Sequence, residues 1–522
     1  DGINVQDNFI RTNAVDFLPN LLLSDQVAEV TLVTSNSNAA VGSGASQVIF
    51  VTPSGTNEYH GSVFWQNRNN VFSANTWFNY RDGIRRPFLN QTQAGATMGG
   101  PILRDRLFFY TNYEAFRLRQ QTTANRAILT PDARRGIFTY RDTQDAVRKV
   151  NVLEAGGVDF DPALRSLLDQ VPGPEKINNF RTGDSSEALL RNTAGYSFLL
   201  RNNRTRDNIT AKIDYNHSSR HTFSGSYLWN RDILDRPDLA NDFSTVPKVF
   251  NDNHTKLLSA SWRWNPSPWF TNELRGGFNL APVIFETTEK FANFIIGGPV
   301  YANPVNTFRL QGRNTDTFNL HNNSNFVRGR HSFQFGFHHQ GIRVEPFNEA
   351  GITPTYTLGT GTGNPSLTGS HLPSIGSTDL AAANNLLATL AAYVTSYTQT
   401  FNATNRTSGF VNGAANVRNW ILNNYAGYFS DTWKTFPRLT LNLGLRYDLF
   451  TVVDERDGLA LMPQLVGGNH ITTLLTSGTL DFAGSAVDRP FYRPDRNNFA
   501  PNMGLAWDVF GTEKQRSAPA TA

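Results

Sequence analysis

The chain has 522 residues, a formal net charge of +4 at pH 7 and no cysteine; 12% of its residues are aromatic and only 17% are charged. The missing cysteines exclude a disulfide scaffold and thiolate metal sites, and the dispersed Lys and Arg residues argue against a nucleic-acid partner. No run of 18 apolar residues occurs, which excludes a membrane-spanning helix but leaves alternating membrane-spanning strands possible.

The N-terminal part of the chain contains several short segments in a recognisable order. They are DGIN at 1–4, VAEVTLV at 27–33, VGSG at 41–44 and QVIFVTP at 47–53, followed by SGTNEYHGS at 54–62. These segments resemble the second half of the plug domain of TonB-dependent outer-membrane receptors and its junction with the first barrel strand. The resemblance implies that residues 1–56 are the C-terminal part of an α/β plug, whose polar stretch at 43–47 suits contact with a polar wall.

Further along the chain, apolar and polar residues alternate with a period of two. In the clearest segment, 439–448, five apolar residues at odd positions oppose Thr440, Asn442, Gly444, Arg446 and Asp448. Such alternation predicts a strand with one apolar and one polar face. The same pattern recurs at 209–215, 222–230, 258–264 and 270–280.

Strand length and connection length favour a membrane barrel over a soluble sandwich. The segments run to about 10–13 residues, near the length that crosses a bilayer at a tilt. Tight turns are predicted at 103–106, 217–220, 265–268, 327–330 and 435–438, and long stretches at 71–91, 118–206, 231–254, 281–306, 344–422 and 450–497. We therefore predict an all-β antiparallel transmembrane barrel with about twelve strands, the first near 60–70 and the last near 498–510.

The positions of the aromatic and the charged side chains also favour a membrane barrel. Aromatic residues cluster beside the tight turns, as expected for rings at a membrane interface: Trp262, Trp264, Trp269, Phe270, Trp433 and Phe436. Charged residues stand in the middle of strands, where facing lipid would cost about 2–4 kcal/mol for each Arg or Lys. We therefore expect these to face a polar lumen: Lys212, Asp214, Glu273, Arg275 and Arg446.

Residues typical of phosphate-binding, metal and catalytic sites occur, but their spacing does not predict such a site. The glycines at 359–363 lack a predicted buried strand before them and a Lys-Ser/Thr after them, so we interpret them as a surface loop. His338 and His339 would point to opposite faces of a strand and cannot chelate together, and the same argument separates His331 from Ser332. We predict no catalytic, cofactor or metal residues and no enzyme activity, and leave His321 as a lumen or rim histidine.

One apolar stretch, 380–394, has near-helical spacing and predicts a short helix packed within a long loop, with a substrate lid as the second interpretation. Substrate-binding residues stay unknown because loops select the substrate.

The remainder of the chain resembles the Oar-like TonB-dependent receptors. The segments that carry this resemblance are 99–102 (GGPI), 107–114 (LFFYTNYE), 428–433 (YFSDTW), 439–448 (LTLNLGLRYD), 497–501 (NNFAP) and 504–508 (GLAWD). The resemblance implies that residues 57–522 are the N-terminal part of a barrel of about 22 strands. We expect the chain to be a fragment, with the signal peptide, carboxypeptidase-regulatory-like sandwich and TonB box before it and the remaining strands after it.

The resemblance also implies a function and partners. The expected function is TonB-dependent import at the outer membrane of a Gram-negative bacterium. The implied partners are TonB with its inner-membrane energising complex, outer-membrane lipid with lipopolysaccharide, and the barrel-assembly machinery. Two alternatives stay open: a passive or enzymatic outer-membrane barrel without a plug, and a secreted glycan-binding β-protein.

Overall fold

Twelve long strands form one antiparallel sheet in which each strand pairs with the next along the chain. The computed structural model describes residues 1–9, 20, 22–34, 39, 40, 42, 47–288, 293–361, 363–464 and 470–509. The twelve strands are β1 His60–Asn69, β2 Leu89–Leu103, β3 Leu107–Leu129, β4 Arg204–Asn216, β5 His221–Asp235, β6 Val249–Ser267, β7 Phe270–Leu280, β8 Gln311–Arg328, β9 His331–Asn348, β10 Trp420–Phe436, β11 Leu439–Phe450 and β12 Phe499–Trp507.

The connections confirm the predicted alternation between short and long. At one end of the sheet, which we call the turn end, five connections contain two to four residues; at the loop end the connections are long. Gly329 in the turn between β8 and β9 has φ +60°, a conformation that favours glycine. The turn predicted at 265–268 lies slightly later, because β6 continues through an irregular register to Ser267 before β7 begins at Phe270.

The two faces of the sheet are the reverse of those in a soluble protein. Leu445 on one face is 47% exposed, whereas its neighbour Arg446 on the other face is 7% exposed. The same contrast separates exposed Ile213 from buried Lys212 in β4. This arrangement confirms a barrel wall whose apolar side faces outward, towards lipid, and whose polar side faces a lumen. The described strands do not pack their apolar sides together as two sandwich layers would.

The long connections at the loop end are folded, which the sequence had indicated only for the helix predicted near 380–394. β3 extends to Leu129, and its outer half pairs with the strand Thr193–Arg201. The remaining elements there are the hairpin Ile137–Arg141 with Val147–Asn151, the strands Asn179–Gly183, Ile295–Gly297, Thr355–Leu358 and Val394–Thr398, and the helices α2 Val152–Gly156, α3 Pro162–Leu168 and α4 Ser377–Leu390.

The hairpin and the three helices share one hydrophobic core, and Leu164, Ile296 and Leu358 form a second, smaller cluster; we call the whole assembly the cap. Its core combines residues from three separate connections, including Phe138, Tyr301 and Leu387. Apolar side chains that are distant in sequence therefore hold the connections together. Helix α4 confirms the helix predicted near 380–394, although it ends at Leu390, before Ala392 with its φ of +54°.

The remaining elements are small. The hairpin Glu29–Val33 with Gln47–Val51 lies in the N-terminal part, and α1 Trp77–Arg81 connects β1 to β2. Between β11 and β12 lie α5 His470–Thr476 and the hairpin Ala460–Gln464 with Thr479–Ala483. The short strands Val283–Thr287, Asn416–Val417 and Asp454–Glu455 extend the sheet at the loop end. Within the described part of the chain, no helix has the length and apolarity needed to cross a membrane.

Candidate functional site: the lumen and its mouth

The described N-terminal residues lie against the polar inner face of the sheet. The hydrogen bonds between them include Lys212 Nζ to the Thr52 carbonyl (2.8 Å), Asn8 Nδ2 to Thr317 Oγ1 (2.8 Å), Asn20 Nδ2 to Asn279 Oδ1 (2.6 Å), Asn279 Nδ2 to the Asn4 carbonyl (3.3 Å), Ser226 Oγ to Asp1 Oδ2 (2.8 Å), Ser259 Oγ to the Asp1 carbonyl (2.9 Å) and Arg446 Nη1 to the Ala39 carbonyl (3.3 Å). Polar groups of the wall are thus satisfied by the N-terminal segment, as buried polar groups require. The stretch predicted to contact the wall at 43–47 lies outside the described residues except for Gln47.

The strongest contact between the N-terminal segment and the wall is an ion pair. Arg313 of β8 donates to the carboxylate of Asp7, and both side chains are almost fully buried. Arg313 also lies over the ring of Phe9, with its guanidinium carbon 5.5 Å from the ring centroid. Loss of either partner would leave a buried charge without this counter-ion, which is more costly than loss of an exposed ion pair.

The charged residues predicted to line the lumen do so. Glu273 accepts hydrogen bonds from Arg263 (3.0 Å) and Arg275 (2.6 Å). The Arg446 guanidinium donates to Asp448, its neighbour on the same face. Lys212 and Asp214 share this face, and Asp214 accepts a hydrogen bond from Ser224. Neighbouring inward charges therefore neutralise one another.

The predicted aromatic residues lie at the turn end of the sheet. Trp262 stacks on Phe223 and Trp264 with centroid distances of 6.3 Å in both pairs, and Trp264 meets Phe270 edge to face at 6.0 Å. Trp269 contacts Phe326 at 5.4 Å in the same way. Trp433 and Phe436 of β10 complete the predicted set at this end of the sheet, and these rings form a belt at one edge of the apolar band.

The histidines divide between the two faces as predicted. His338 faces the lumen, where it stacks on His321 at 4.3 Å and pairs with Asn323 Oδ1 at 2.9 Å. His339 faces outward and stacks on Tyr425 at 4.7 Å.

A cross-strand contact joins His331 to Asp431, which no sequence pattern indicated. His331 Nδ1 lies 2.7 Å from Asp431 Oδ2, and the imidazole stacks on Trp433 at 5.3 Å. Ser332 is the next residue along β9 and therefore points to the opposite face. The described residues thus place a His-Asp pair on the outward face without a serine beside it.

The glycine segment 359–363 belongs to a turn of the cap. Gly361 forms a bridge with Asn364 and has φ +93°. The expectation that no buried strand precedes this segment was wrong, since the strand Thr355–Leu358 leads into it and Leu358 is buried. The three-stranded cap sheet that contains this strand joins two connections, since Ile295–Gly297 comes from one and Thr355–Leu358 and Val394–Thr398 come from another, which sequence periodicity cannot reveal.

A concave cavity of about 700 Å³ opens where the lumen meets the loop end. We call it the mouth cavity. Phe9 and Arg313 lie among its lining residues, and the other lining residues come from the ends of strands and from three connections. Seven lining residues are aromatic: Phe9, Phe285, Phe347, Phe401, Phe410, Trp420 and Phe491.

The charges of the mouth cavity have one sign. Arg313 and Arg418 are its charged lining residues. Arg418 donates to the Val417 carbonyl (2.6 Å), and it has no carboxylate within ion-pair distance among the described residues. Glu455, the nearest acidic influence, instead accepts from the backbone amides of Asn419 (2.8 Å) and Leu459 (2.5 Å). Burial lowers the pKa of Arg418 from its usual value, and Glu455 opposes this shift.

Sequence reasoning did not identify the mouth cavity. Its aromatic residues are spread from position 9 to position 491, and their approach depends on how the connections fold. A partial indication was present, because Phe401, Phe410 and Phe491 lie in long polar stretches far from the predicted interface belt.

Within the cap, Asp142 holds a turn through its carboxylate. It accepts hydrogen bonds from Arg148 Nε and from the backbone amides of Gln144 and Ala146, each at 2.9 Å. The Arg148 hydrogen bond and then the Ala146 amide hold the pKa of Asp142 below its ordinary value of 3.8, although burial opposes them. Because the native pKa is depressed, the stabilisation is complete above the ordinary value and is lost as pH falls through the native pKa.

We expect Asp142→Asn to lower hydrogen-exchange protection in the hairpin Ile137–Arg141 with Val147–Asn151 at pH 7, because asparagine lacks the charge that Arg148 pairs with. The difference from the unmodified protein should disappear as pH falls below the native pKa, after correction for intrinsic exchange rates. Asp145→Asn is the matched control, since Asp145 is exposed. Unchanged protection of Asp142→Asn at pH 7 would contradict this account.

Comparison with known proteins places the chain in a family. Residues 51–517 match the family described as "Outer membrane beta barrel domain", so the chain belongs to that family and to the outer membrane of Gram-negative bacteria. The TonB-dependent transporter Oar of Myxococcus xanthus is 32% identical over 128 residues, which cover 24% of this chain and 12% of that protein. The match to Oar agrees with the Oar-like resemblance of the sequence.

Several solved structures show a likeness in fold. The outer membrane transporter YddB of Escherichia coli matches with 10% sequence identity and a TM-score of 0.45. The match covers 93% of this chain and 46% of the YddB chain. The siderophore receptor PirA of Acinetobacter baumannii matches with 10% sequence identity and a TM-score of 0.43. That match covers 93% of this chain and 56% of the PirA chain. The chain thus spans about half the length of these structures and 12% of Oar.

Proposed function

We propose that this chain is part of a transporter that imports a substrate through the outer membrane with energy supplied by TonB. The observation that carries the proposal is the N-terminal segment bound along the inner face of the barrel wall, with the Asp7–Arg313 ion pair beside the mouth cavity. A barrel of this kind needs such an obstruction, because an unplugged wide lumen is an open aqueous pore. In this proposal residues 1–56 belong to the plug and residues 57–522 to the barrel.

The contacts between segment and wall suit an obstruction that moves. Beside the ion pair, the described contacts include several hydrogen bonds between polar groups, such as Lys212 to Thr52 and Asn8 to Thr317. Water can replace these partners one at a time when the segment is displaced. A pull from TonB, delivered through the energising complex of the inner membrane, would supply the work that the buried ion pair demands.

A polar route joins the two ends of the lumen along β8. Its inward residues run from Arg313 at the mouth cavity to Asn325 at the turn end. There a second cavity of about 650 Å³ is lined by residues that include Arg263, Glu273 and Asn325. In the proposed mechanism, the substrate leaves the mouth cavity and follows this wall once the N-terminal segment has moved.

The other surfaces fit the remaining partners of such a transporter. The exposed apolar band would contact outer-membrane lipid, and the cap would stand at the cell surface beside lipopolysaccharide. Insertion of the barrel would be the task of the barrel-assembly machinery. The passive or enzymatic barrel is less well supported, because it expects residues 1–56 to pack outside the lumen or to be disordered, whereas the described N-terminal residues contact the inner face of the wall. Exposed Ile213 and Leu445 on the outward face argue against a secreted glycan-binding protein.

The test compares three strains grown in tryptone medium. Mass spectrometry follows the depletion of solutes from the medium of each strain. One strain carries the full-length receptor, one lacks it, and one lacks TonB. We expect a set of solutes to be depleted only by the first strain. Depletion that persists without TonB, or that does not depend on the receptor, would overturn the proposal.

A further inference from the structure

The mouth cavity exposes aromatic rings to water in a concave surface. Phe410 is 63% exposed and Phe401 is 42% exposed, and Phe9 of the N-terminal segment is 45% exposed. Trp420 is partly covered by Phe491, whose ring centroid lies 5.5 Å from that of Trp420. Rings held apart in a cavity, rather than packed into the core of the cap, offer their faces to a flat apolar ligand.

The cation of the cavity is available to an anion. Arg418 is partly desolvated, and among the described residues its side chain donates a hydrogen bond only to the Val417 carbonyl. Arg313 is already paired with Asp7, so it is a weaker candidate for a new anion. The described lining residues include no Asp or Glu, and the carboxylates of Asp7 and Glu455 are already engaged, by Arg313 and by the backbone amides of Asn419 and Leu459 respectively.

We propose that the mouth cavity binds a small ligand with a flat apolar body and a single carboxylate. The carboxylate pairs with Arg418, whose planar guanidinium matches a carboxylate through two parallel hydrogen bonds. The apolar body lies between Phe410 and Trp420. The volume of about 700 Å³ lies within the range of small-molecule sites.

This inference rests on the proposed function, because it names the ligand class of the transporter's entry site. Neutral oligosaccharide is the competing occupant, since sugars also stack on aromatic rings. The lone guanidinium and the lack of acidic lining residues favour the carboxylate, because a neutral sugar would leave the Arg418 charge without a counter-ion.

The experiment measures binding to the full-length receptor in amphipol by isothermal titration calorimetry. The probes are N-acetyl-Phe-Phe with a free carboxylate, the same compound as its C-terminal amide, and maltoheptaose. We expect the free acid to bind at least tenfold more tightly than the amide, and maltoheptaose not to bind. Equal affinities for acid and amide, or binding of maltoheptaose alone, would overturn the proposal.

Variants assign the effect to the cavity. Arg418→Gln should abolish the preference for the acid, Arg418→Lys should retain part of it, and Phe410→Ala should weaken the acid and the amide alike. Arg119→Gln is the matched control, because Arg119 lies outside the cavity and contacts Thr205 and backbone carbonyls. Folding of each variant is checked by its heat-dependent gel mobility, and an acid preference that survives in folded Arg418→Gln would refute the assignment.

Binding is measured without TonB, so this test and the transport test fail independently. If the receptor depletes solutes in a TonB-dependent manner but does not discriminate acid from amide, the proposed ligand class is refuted and the proposed transport function stands. If the receptor binds the acid through Arg418 but depletes no solute, the proposed ligand class stands and the proposed transport function is refuted.

Discussion

Replacing Leu387 with alanine is expected to destabilise the cap by about 2–5 kcal/mol, the range found when a buried leucine leaves a cavity. Leu387 is fully buried in α4 and packs beside Gly156 of α2 in the shared core. Removing its side chain should therefore loosen elements from all three connections together. Hydrogen exchange followed by mass spectrometry should show faster exchange in cap peptides, by roughly thirtyfold to several thousandfold.

The matched control for this change is Asn385→Ala, an exposed position two residues earlier in the same helix. Its effect on exchange should be small, because surface substitutions usually change stability by about 0.5 kcal/mol or less. Peptides from the barrel strands should keep their protection in both variants. If the cap peptides of Leu387→Ala exchanged at native rates, the shared core would not be what holds the connections together.

The second large effect is expected from Leu445→Arg on the outward face of β11. Leu445 is 47% exposed and lies in the apolar band directly between Phe429 and Pro501, so an arginine there would enter lipid. The expected cost is about 2–4 kcal/mol near the middle of the bilayer. The measurement is urea-dependent folding of the receptor into lipid vesicles, followed by tryptophan fluorescence.

Asn442→Arg controls for the size of the new side chain, because Asn442 is a residue of the same strand on the inward, polar face. Its loss of stability should be clearly smaller than that of Leu445→Arg. Equal losses for both variants, or a larger loss for Asn442→Arg, would mean that the outward face does not meet lipid.

The barrel wall could be predicted from sequence because its physical cause is local. A wall between lipid and water forces side chains to alternate, and the pattern at 439–448 reappears as β11 Leu439–Phe450. The opposite faces of His338 and His339 follow from the same rule. The pairing of His331 with Asp431 does not, since it depends on the register between β9 and β10.

The cap and the mouth cavity could not be predicted because their causes are not local. Ile128, Tyr301 and Leu387 meet in one core although long stretches of chain separate them. Polar surroundings made these stretches read as plain loops, and β3 was expected to end well before Leu129. Arg418 likewise has no distinctive neighbours in sequence, and its place in the cavity follows only from the folded connections.

The shared core of the cap has a consequence for how such a receptor diverges. If each connection folded independently, natural variation could alter one of them and leave the others untouched. Here a change of volume at one buried position obliges residues in two other connections to adjust, so successful variants should carry compensating replacements in several connections at once. New recognition properties should therefore arise by exchange of the cap as a unit, while the alternating wall beneath it stays the same.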